Sequence, residues 1–184
     1  HGLNGNGNTG TLLYVHGNSD GTFQDTDGCM SIADLTEQFI QAKIGFDDVL
    51  HILREKRIVY APDATMQAML SDWRGRTLII EPGLGWREDT GKYSLITNYS
   101  LLSPESTRSF IVPGDNRYEK AMQLLKQYEN RFTVSDAFSI LQAVHQEEPW
   151  ATRVSFVYSW NEQAVYYTEN NSFTNINKYE FSQS

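Results

Sequence analysis

The pattern of apolar and polar residues predicts a short strand near the start of the chain. Residues 11–15, TLLYV, are apolar and rich in residues that favour β-structure, and the polar stretch HGNSDG ends the run. The segment before it, GNGNTG, spells G-x-G-x-x-G from Gly5 to Gly10. A dinucleotide-binding loop needs a strand before it and a helix after it, whereas here a strand follows and too little chain precedes. The segment is therefore predicted to be a turn that leads into a strand.

Two helices are predicted next, separated by Gly45. Asp47 is the predicted N-cap of the second helix. The apolar residues recur at helical spacing, which predicts one buried side on each helix. The predicted buried positions are Ile32, Leu35, Phe39, Ile40, Val49, Leu50, Ile52 and Leu53.

The middle of the chain reads as antiparallel β-structure. Residues 66–72 and 77–81 are predicted to form a hairpin around the turn WRGR, in which Gly75 supplies the positive φ. Residues 92–98, KYSLITN, are predicted to form a further strand.

The last third predicts two more helices and a meander of strands. The helices cover residues 116–130, with Asp115 as a cap, and residues 133–146, with Thr133 or Ser135 as the cap. Strands are predicted over residues 151–160, 163–170 and 177–181. Helix pairs that alternate with antiparallel hairpins favour an α+β fold, and no linker marks a boundary, so residues 1–184 are predicted to form a single domain.

Composition and charge narrow the classes of function. The chain has 40% hydrophobic residues and a formal net charge of -8. Nucleic acid is not expected as a partner, because no basic surface is available to displace counterions from phosphates. No apolar run is long enough to span a membrane, so no membrane partner is expected. The single cysteine, Cys29, excludes an intrachain disulfide and a multi-thiolate zinc site, and no metal or cofactor is predicted.

Two polar positions are candidates for catalysis. Asn98 ends the predicted strand over residues 92–98, and an amide held by a strand end can donate to a developing oxyanion; the alternative is an asparagine that satisfies a turn. Arg117 lies in the first turn of a predicted helix, where the helix dipole disfavours a cation. This placement suits an arginine that faces a polar substrate group, and an ordinary surface arginine is the alternative. Cys29 has no histidine near it in sequence and is interpreted as passive.

Five stretches of the chain carry a resemblance to a known family: GLNGNGNTGTLLYV, SDWRGRTLIIEPG, YSLITNYSLL, VPGDNRYEKA and AVYYTENNSF. In order and spacing they resemble the choloylglycine hydrolase and penicillin V acylase family of linear-amide hydrolases, which are N-terminal-nucleophile hydrolases. The resemblance extends over essentially all 184 residues. It implies an α+β fold, the α-β-β-α four-layer sandwich, with the N-terminal strands of that fold missing from this chain.

The resemblance also implies roles for individual residues. Tyr14 matches a position whose backbone N–H helps to form the oxyanion hole, typically Tyr in penicillin V acylases and Asn in bile salt hydrolases. Asn98 matches the oxyanion-hole asparagine, and Arg117 matches the active-site arginine that follows a Pro-Gly-Asp turn. Cys29 does not align with the family's nucleophile, a cysteine that becomes the first residue after processing and uses its own α-amino group as the base.

The implied function is hydrolysis of the C–N bond of a small N-acyl amide, such as penicillin V or a conjugated bile salt, by a cysteine located upstream of His1. The alternatives are a non-catalytic module that binds acyl amides and an acyltransferase similar to isopenicillin N acyltransferase. A cytoplasmic homo-oligomer is expected, with a separate N-terminal fragment as a further partner.

Overall fold

The computed structural model describes residues 1–128 and 131–181, which form helices and mainly antiparallel sheets. The α+β fold class predicted from the sequence is confirmed by these elements. The chain divides into two units, His1–Asp115 and Asn116–Ser184. The single-domain expectation stays a prediction.

The first unit contains a five-stranded antiparallel sheet. Its strands are β1 (Gly2–Leu3), β2 (Thr9–Tyr14), β5 (Met66–Ser71), β6 (Thr77–Glu81) and β7 (Gly85–Asp89), in the spatial order β1-β2-β5-β6-β7. A separate two-stranded parallel sheet joins β3 (Cys29–Ser31) and β4 (Arg57–Val59). The predicted hairpin over residues 66–81 is confirmed, and Gly75 has the expected positive φ of 79°.

Three helices accompany this sheet: α1 (Ile32–Ile40), α2 (Phe46–Glu55) and the short α3 (Pro104–Thr107). Helix α1 packs against β2 and β5. Ile32, Leu35 and Phe39 on its inner face are fully buried, as their helical spacing predicted. They join apolar residues of α2, β5 and β6 in one hydrophobic core, which fixes the position of β2 and β5.

The Gly/Asn-rich segment at the start of the chain is the turn between β1 and β2, so the prediction of a turn is confirmed. Two asparagines of this segment tie it to the end of α1. Asn4 Nδ2 donates to Ile40 O at 2.7 Å, and Asn8 Nδ2 donates to Phe39 O at 3.1 Å. The side chains thereby satisfy carbonyls that a helix C-terminus leaves without an intrahelical partner.

Two predictions for the first unit were wrong in detail. The N-cap of α2 is Gly45 instead of Asp47, and the backbone N–H of Gly45 donates to Asp48 Oδ2 at 2.8 Å. Residues 92–98, all within the described part of the chain, form no strand. The edge of β6 is instead paired with β7, because a tight turn directly after Glu81 reverses the direction of the chain.

The second unit contains two helices and a three-stranded antiparallel sheet. The elements are α4 (Arg117–Leu125), α5 (Val134–Ala143), β8 (Val154–Ser159), β9 (Ala164–Glu169) and β10 (Asn177–Glu180), with the strands in the order β10-β9-β8. Helix α5 packs on β8, and α4 packs on α5. These strands and helices were predicted, although α4 ends at Leu125 and the predicted positions 129–130 lie outside the described residues.

The caps of the two helices differ from each other. Of the two predicted N-caps of α5, Thr133 is confirmed and Ser135 is not, because Thr133 Oγ1 accepts from the backbone N–H of Asp136 at 3.2 Å. For α4 the prediction of Asp115 was wrong, since the N-cap position is Asn116.

Candidate active site

Tyr14 is the last residue of β2, and the strand determines the direction of its backbone groups. The N–H of Val15 donates to Thr65 O at 3.2 Å, on the side of the strand that faces β5. Backbone groups of successive strand residues point to opposite edges, so the N–H and C=O of Tyr14 point away from β5. On that edge β1 pairs with β2 at Thr9 and Gly10 and does not extend to Tyr14.

Asn98 meets Tyr14 at this edge of β2. Its Nδ2 donates to the carbonyl oxygen of Tyr14 at 2.9 Å, although the two residues are 84 positions apart in sequence. The structure therefore brings two of the three predicted site residues into contact. Both the Asn98 side chain and the Tyr14 side chain are exposed, so a small molecule can reach them.

This geometry is suited to holding a negatively charged oxygen. A carboxamide is a hydrogen-bond donor, and the Asn98 amide donates to Tyr14 O. The Tyr14 N–H points to the same edge as its C=O, where the Asn98 amide lies. Donors that are fixed before the reaction are the usual form of an oxyanion hole. The catalytic role of both residues stays a prediction.

A cleft of about 570 Å³ lies beside Tyr14, next to residues 60–65, and Asn98 is not among the residues that line it. Tyr60 lies at its base, where the hydroxyl accepts from Asn18 Nδ2 at 2.9 Å and from Asn18 N at 3.2 Å. Burial is the main cause that raises the pKa of the Tyr60 hydroxyl, so this group stays protonated. The cleft thus has an aromatic wall and a neutral, hydrogen-bonded base. Its lining includes Tyr14, Phe23, Tyr60, Pro62 and Thr65.

Sequence reasoning missed His16, two residues beyond Tyr14. Its ring stacks on Phe110, with centroids 3.3 Å apart and an interplanar angle of 11°. Both rings are exposed. No sequence signal pointed to this pair, because Phe110 lies in a Ser- and Pro-rich stretch with no periodic pattern.

Sequence reasoning also missed two buried polar residues, Gln67 in β5 and Glu81 at the end of β6. Gln67 is fully buried, and Glu81 is 2% exposed. Both bond to residues around Asn98. A signal was present in each case: a glutamine inside the apolar strand MQAML, and a glutamate that closes the apolar run TLII.

Arg117, the third predicted site residue, belongs to the second unit and begins α4. Its Nη1 donates to Gln146 Oε1 at 3.0 Å. Gln146 is itself held, since its N–H donates to Thr152 Oγ1 at 2.9 Å and its carbonyl accepts from Asn171 Nδ2 at 3.2 Å. The segment after α5 therefore orients the guanidinium of Arg117. The sequence pattern did not indicate this contact.

Few other side chains in the described part of the chain are candidates for catalysis or metal binding. Cys29 is a half-buried free thiol in β3, with its Sγ 3.9 Å from Gln24 Oε1. Within residues 1–128 and 131–181, no cluster of three or more His, Cys, Asp and Glu side chains could hold a metal ion. None of the helices described is long and apolar enough to cross a membrane.

Of the comparisons with known proteins, the one with solved structures found similar proteins. No family model matches the sequence, and no curated protein matches it significantly. The chain is similar to a cysteine-to-alanine variant of the conjugated bile acid hydrolase from Clostridium perfringens, with a TM-score of 0.72 and 13% identity over 97% of this chain and 71% of that one. An arginine-to-leucine variant of the same hydrolase has a TM-score of 0.67 and 15% identity over the same shares. The mixed fold of helices and antiparallel sheets matches the N-terminal-nucleophile hydrolase fold of these neighbours, as predicted.

Proposed function

We propose that the intact protein hydrolyses the C–N bond of a linear N-acyl amide, using a cysteine that lies outside residues 1–184. The observation that carries the proposal is the contact between Asn98 Nδ2 and the Tyr14 backbone at an edge of β2. Similarity to the fold of conjugated bile acid hydrolases supports the same reaction class. Cys29 is not the proposed nucleophile, because it lies on β3, which is paired with β4 in a separate sheet.

The chemistry follows from the geometry of the two donors. Attack of a thiolate on the amide carbonyl converts its oxygen to an oxyanion. The Tyr14 N–H and the Asn98 side-chain amide would donate to this oxygen and would stabilise the tetrahedral state more than the planar amide. The C–N bond then breaks, the amine leaves with a proton, and water releases the acyl group as an acid.

Arg117 would support the charge and geometry of the nucleophile in the intact protein. A guanidinium remains protonated under all ordinary conditions and presents several donors in a fixed plane. Its bond to Gln146 restricts the rotation of this plane. The proposed substrate is a small N-acyl amide.

The first experiment determines whether a nucleophile exists. The denatured intact mass should be measured for every chain of the protein produced from its complete natural reading frame. We expect a species heavier than 21.0 kDa, or a second small polypeptide that begins with cysteine. A single species of the mass of residues 1–184 would refute the proposal, because that molecule has no attacking group of this kind.

The second experiment tests the oxyanion hole in the intact protein. Asn98→Ala should lower kcat by about 100- to 1,000-fold in the hydrolysis of penicillin V or of a conjugated bile salt, because one donor to the oxyanion is lost. Asn161→Ala is the matched control, since Asn161 is an exposed asparagine of the second unit, in the turn between β8 and β9. Activity of Asn98→Ala within a few-fold of wild type would contradict the role of Asn98.

A further inference from the structure

The segment that carries Asn98 has no regular secondary structure of its own. Residues 97–102 all lie in the described part of the chain and belong to neither a helix nor a strand. An exposed catalytic side chain on such a segment needs other contacts to hold it, because an irregular backbone has no ladder of hydrogen bonds. Two buried polar side chains of the five-stranded sheet provide these contacts.

Gln67 binds the backbone on both sides of Asn98. Its Nε2 donates to Thr97 O at 2.6 Å and to Tyr99 O at 3.1 Å. One amide group therefore fixes the two carbonyls that flank the candidate oxyanion donor. Gln67 is fully buried, and its bond to Thr97 O is buried as well, so water does not compete for that bond.

Glu81 binds the backbone that follows Asn98. Its Oε1 accepts from Leu101 N at 2.7 Å and from Leu102 N at 3.1 Å, and its Oε2 accepts from the hydroxyl of Ser100. The Ser100 hydroxyl in turn accepts from Ser103 N at 2.8 Å. Hydrogen bonds to a carboxylate are about twice as strong as those between neutral groups, so this bend is firmly fixed.

The sheet connects these contacts to Tyr14. Strand β5, which carries Gln67, is paired with β2 on one side and with β6 on the other. Gln67 lies opposite Leu13, the residue before Tyr14, and Glu81 ends β6. One rigid element therefore sets the positions of both the Tyr14 backbone and the segment that carries Asn98.

We infer that Gln67 and Glu81 are positioning residues that hold Asn98 at the distance from the Tyr14 backbone that oxyanion binding requires. This inference rests on the proposed function, in which Asn98 is the oxyanion donor. A purely structural role would only satisfy the polar groups of a surface segment. A positioning role makes a further requirement. Substitution of Gln67 or Glu81 must lower both the order parameter of the Asn98 side-chain amide and kcat.

The test uses Gln67→Met in the intact protein. Methionine has a similar shape but no N–H donors, so the carbonyls of Thr97 and Tyr99 lose their partner without a large cavity. We expect kcat to fall by about 10- to 100-fold with little change in KM, because a displacement of about 1 Å can cost about 100-fold in rate. Gln123→Met is the matched control, since Gln123 is exposed on α4.

Two further measurements separate positioning from stability. The Asn98 side-chain amide should show a lower NMR order parameter in Gln67→Met than in wild type. In an Asn98→Ala background, Gln67→Met should lower kcat by less than about twofold, because the group that it positions is gone. A folded Gln67→Met protein with an unchanged Asn98 order parameter, or with kcat within about twofold of wild type while Asn98→Ala is strongly impaired, would overturn the inference.

The two proposals fail in different ways. If Asn98→Ala retains activity while Gln67→Met loosens the Asn98 amide, the oxyanion role is wrong and the positioning contact stands. If Gln67→Met does not fold, Glu81→Gln serves as the second variant, because it keeps the side-chain shape and replaces an acceptor by an N–H donor that faces other donors. Glu81→Gln should loosen the Asn98 amide and lower kcat by about three- to tenfold, and an unchanged order parameter and rate would overturn the inference.

Discussion

The two segments that carry the candidate catalytic side chains are held in different ways. The segment around Asn98 is bound by Gln67 and Glu81, which are buried within the sheet of the first unit. Arg117 begins a helix of the second unit and is bound by Gln146, which is half-buried. The supporting side chains are buried in the first arrangement and half-buried in the second.

This difference follows from the cores of the two units. In the first unit one cluster of eleven buried hydrophobic residues joins α1 and α2 to β5 and β6. In the second unit Ala121 is the one fully buried residue among those of α4, and every residue of β10 is exposed. A polar side chain can be enclosed only where apolar side chains already exclude water. The segment that carries the candidate donor Asn98 therefore belongs to the better-packed unit.

The largest expected effect concerns these cores. Phe39→Ala should lower the free energy of unfolding of the first unit by about 3–5 kcal/mol, because it leaves a cavity in the buried cluster. Phe138→Ala in α5 removes the same side-chain atoms from the second unit. Its loss of unfolding free energy should be at or below the lower end of that range. Urea unfolding followed by hydrogen exchange in each unit measures both values. Equal losses would contradict the difference in packing.

The next prediction compares the two supporting glutamines directly. Gln146→Met should lower kcat by about three- to tenfold, because a hydrogen bond to a half-exposed arginine is partly replaced by water. The expected loss for Gln67→Met, the same substitution at a fully buried site, is larger. Steady-state kinetics of both variants on one substrate gives the ratio. A greater loss for Gln146→Met would reverse the comparison.

Local signals in the sequence were sufficient to predict most elements of the fold. The apolar spacing of Ile32, Leu35 and Phe39 determines the buried face of α1, and the cap at Thr133 determines the start of α5. Tyr14 was chosen from the family resemblance alone, whereas Asn98 was also chosen as an amide at the end of a predicted strand, and the contact between them joins residues 84 positions apart. No periodic pattern contains information on such a distant contact.

The missed features have a common physical cause. Residues 92–98 have the composition of a strand but do not form one. The edge of β6 is already paired with β7, so tertiary pairing overrides the local preference of residues 92–98. Gln67 and Glu81 act through side-chain bonds to a distant backbone segment. Their residue types signal buried polar groups, but the partner is specified only by the folded chain.

A smaller effect is expected at the helix caps. Ser31→Ala removes the side chain that accepts from Asp34 N at 3.0 Å at the start of α1. Thr133→Ala removes the corresponding group of α5, where Asp136 also accepts from Thr133 N at 2.8 Å. Each substitution should lower the free energy of unfolding by about 1 kcal/mol, measured by urea titration. A loss near zero for Thr133→Ala would show that α5 does not depend on its cap.

The smallest predicted effect is a dependence of stability on pH in the second unit. His145 Nδ1 contacts the carbonyl of Gln142, and its Nε2 lies 2.7 Å from Glu147 Oε1. The contact with the Gln142 carbonyl, followed by that with Glu147, raises the pKa of His145 above its ordinary value of 6.5.

The folded state therefore binds the proton more tightly than the unfolded chain, and the stabilisation is fully present below about pH 6.5. It is lost as the pH rises through the higher pKa of the folded state, so the difference in unfolding free energy between wild type and His145→Gln should shrink as the pH rises above about 6.5. Glu147→Gln should weaken this dependence while leaving the Gln142 contact in place, and a difference that grows with pH would show that the histidine is held in its neutral form.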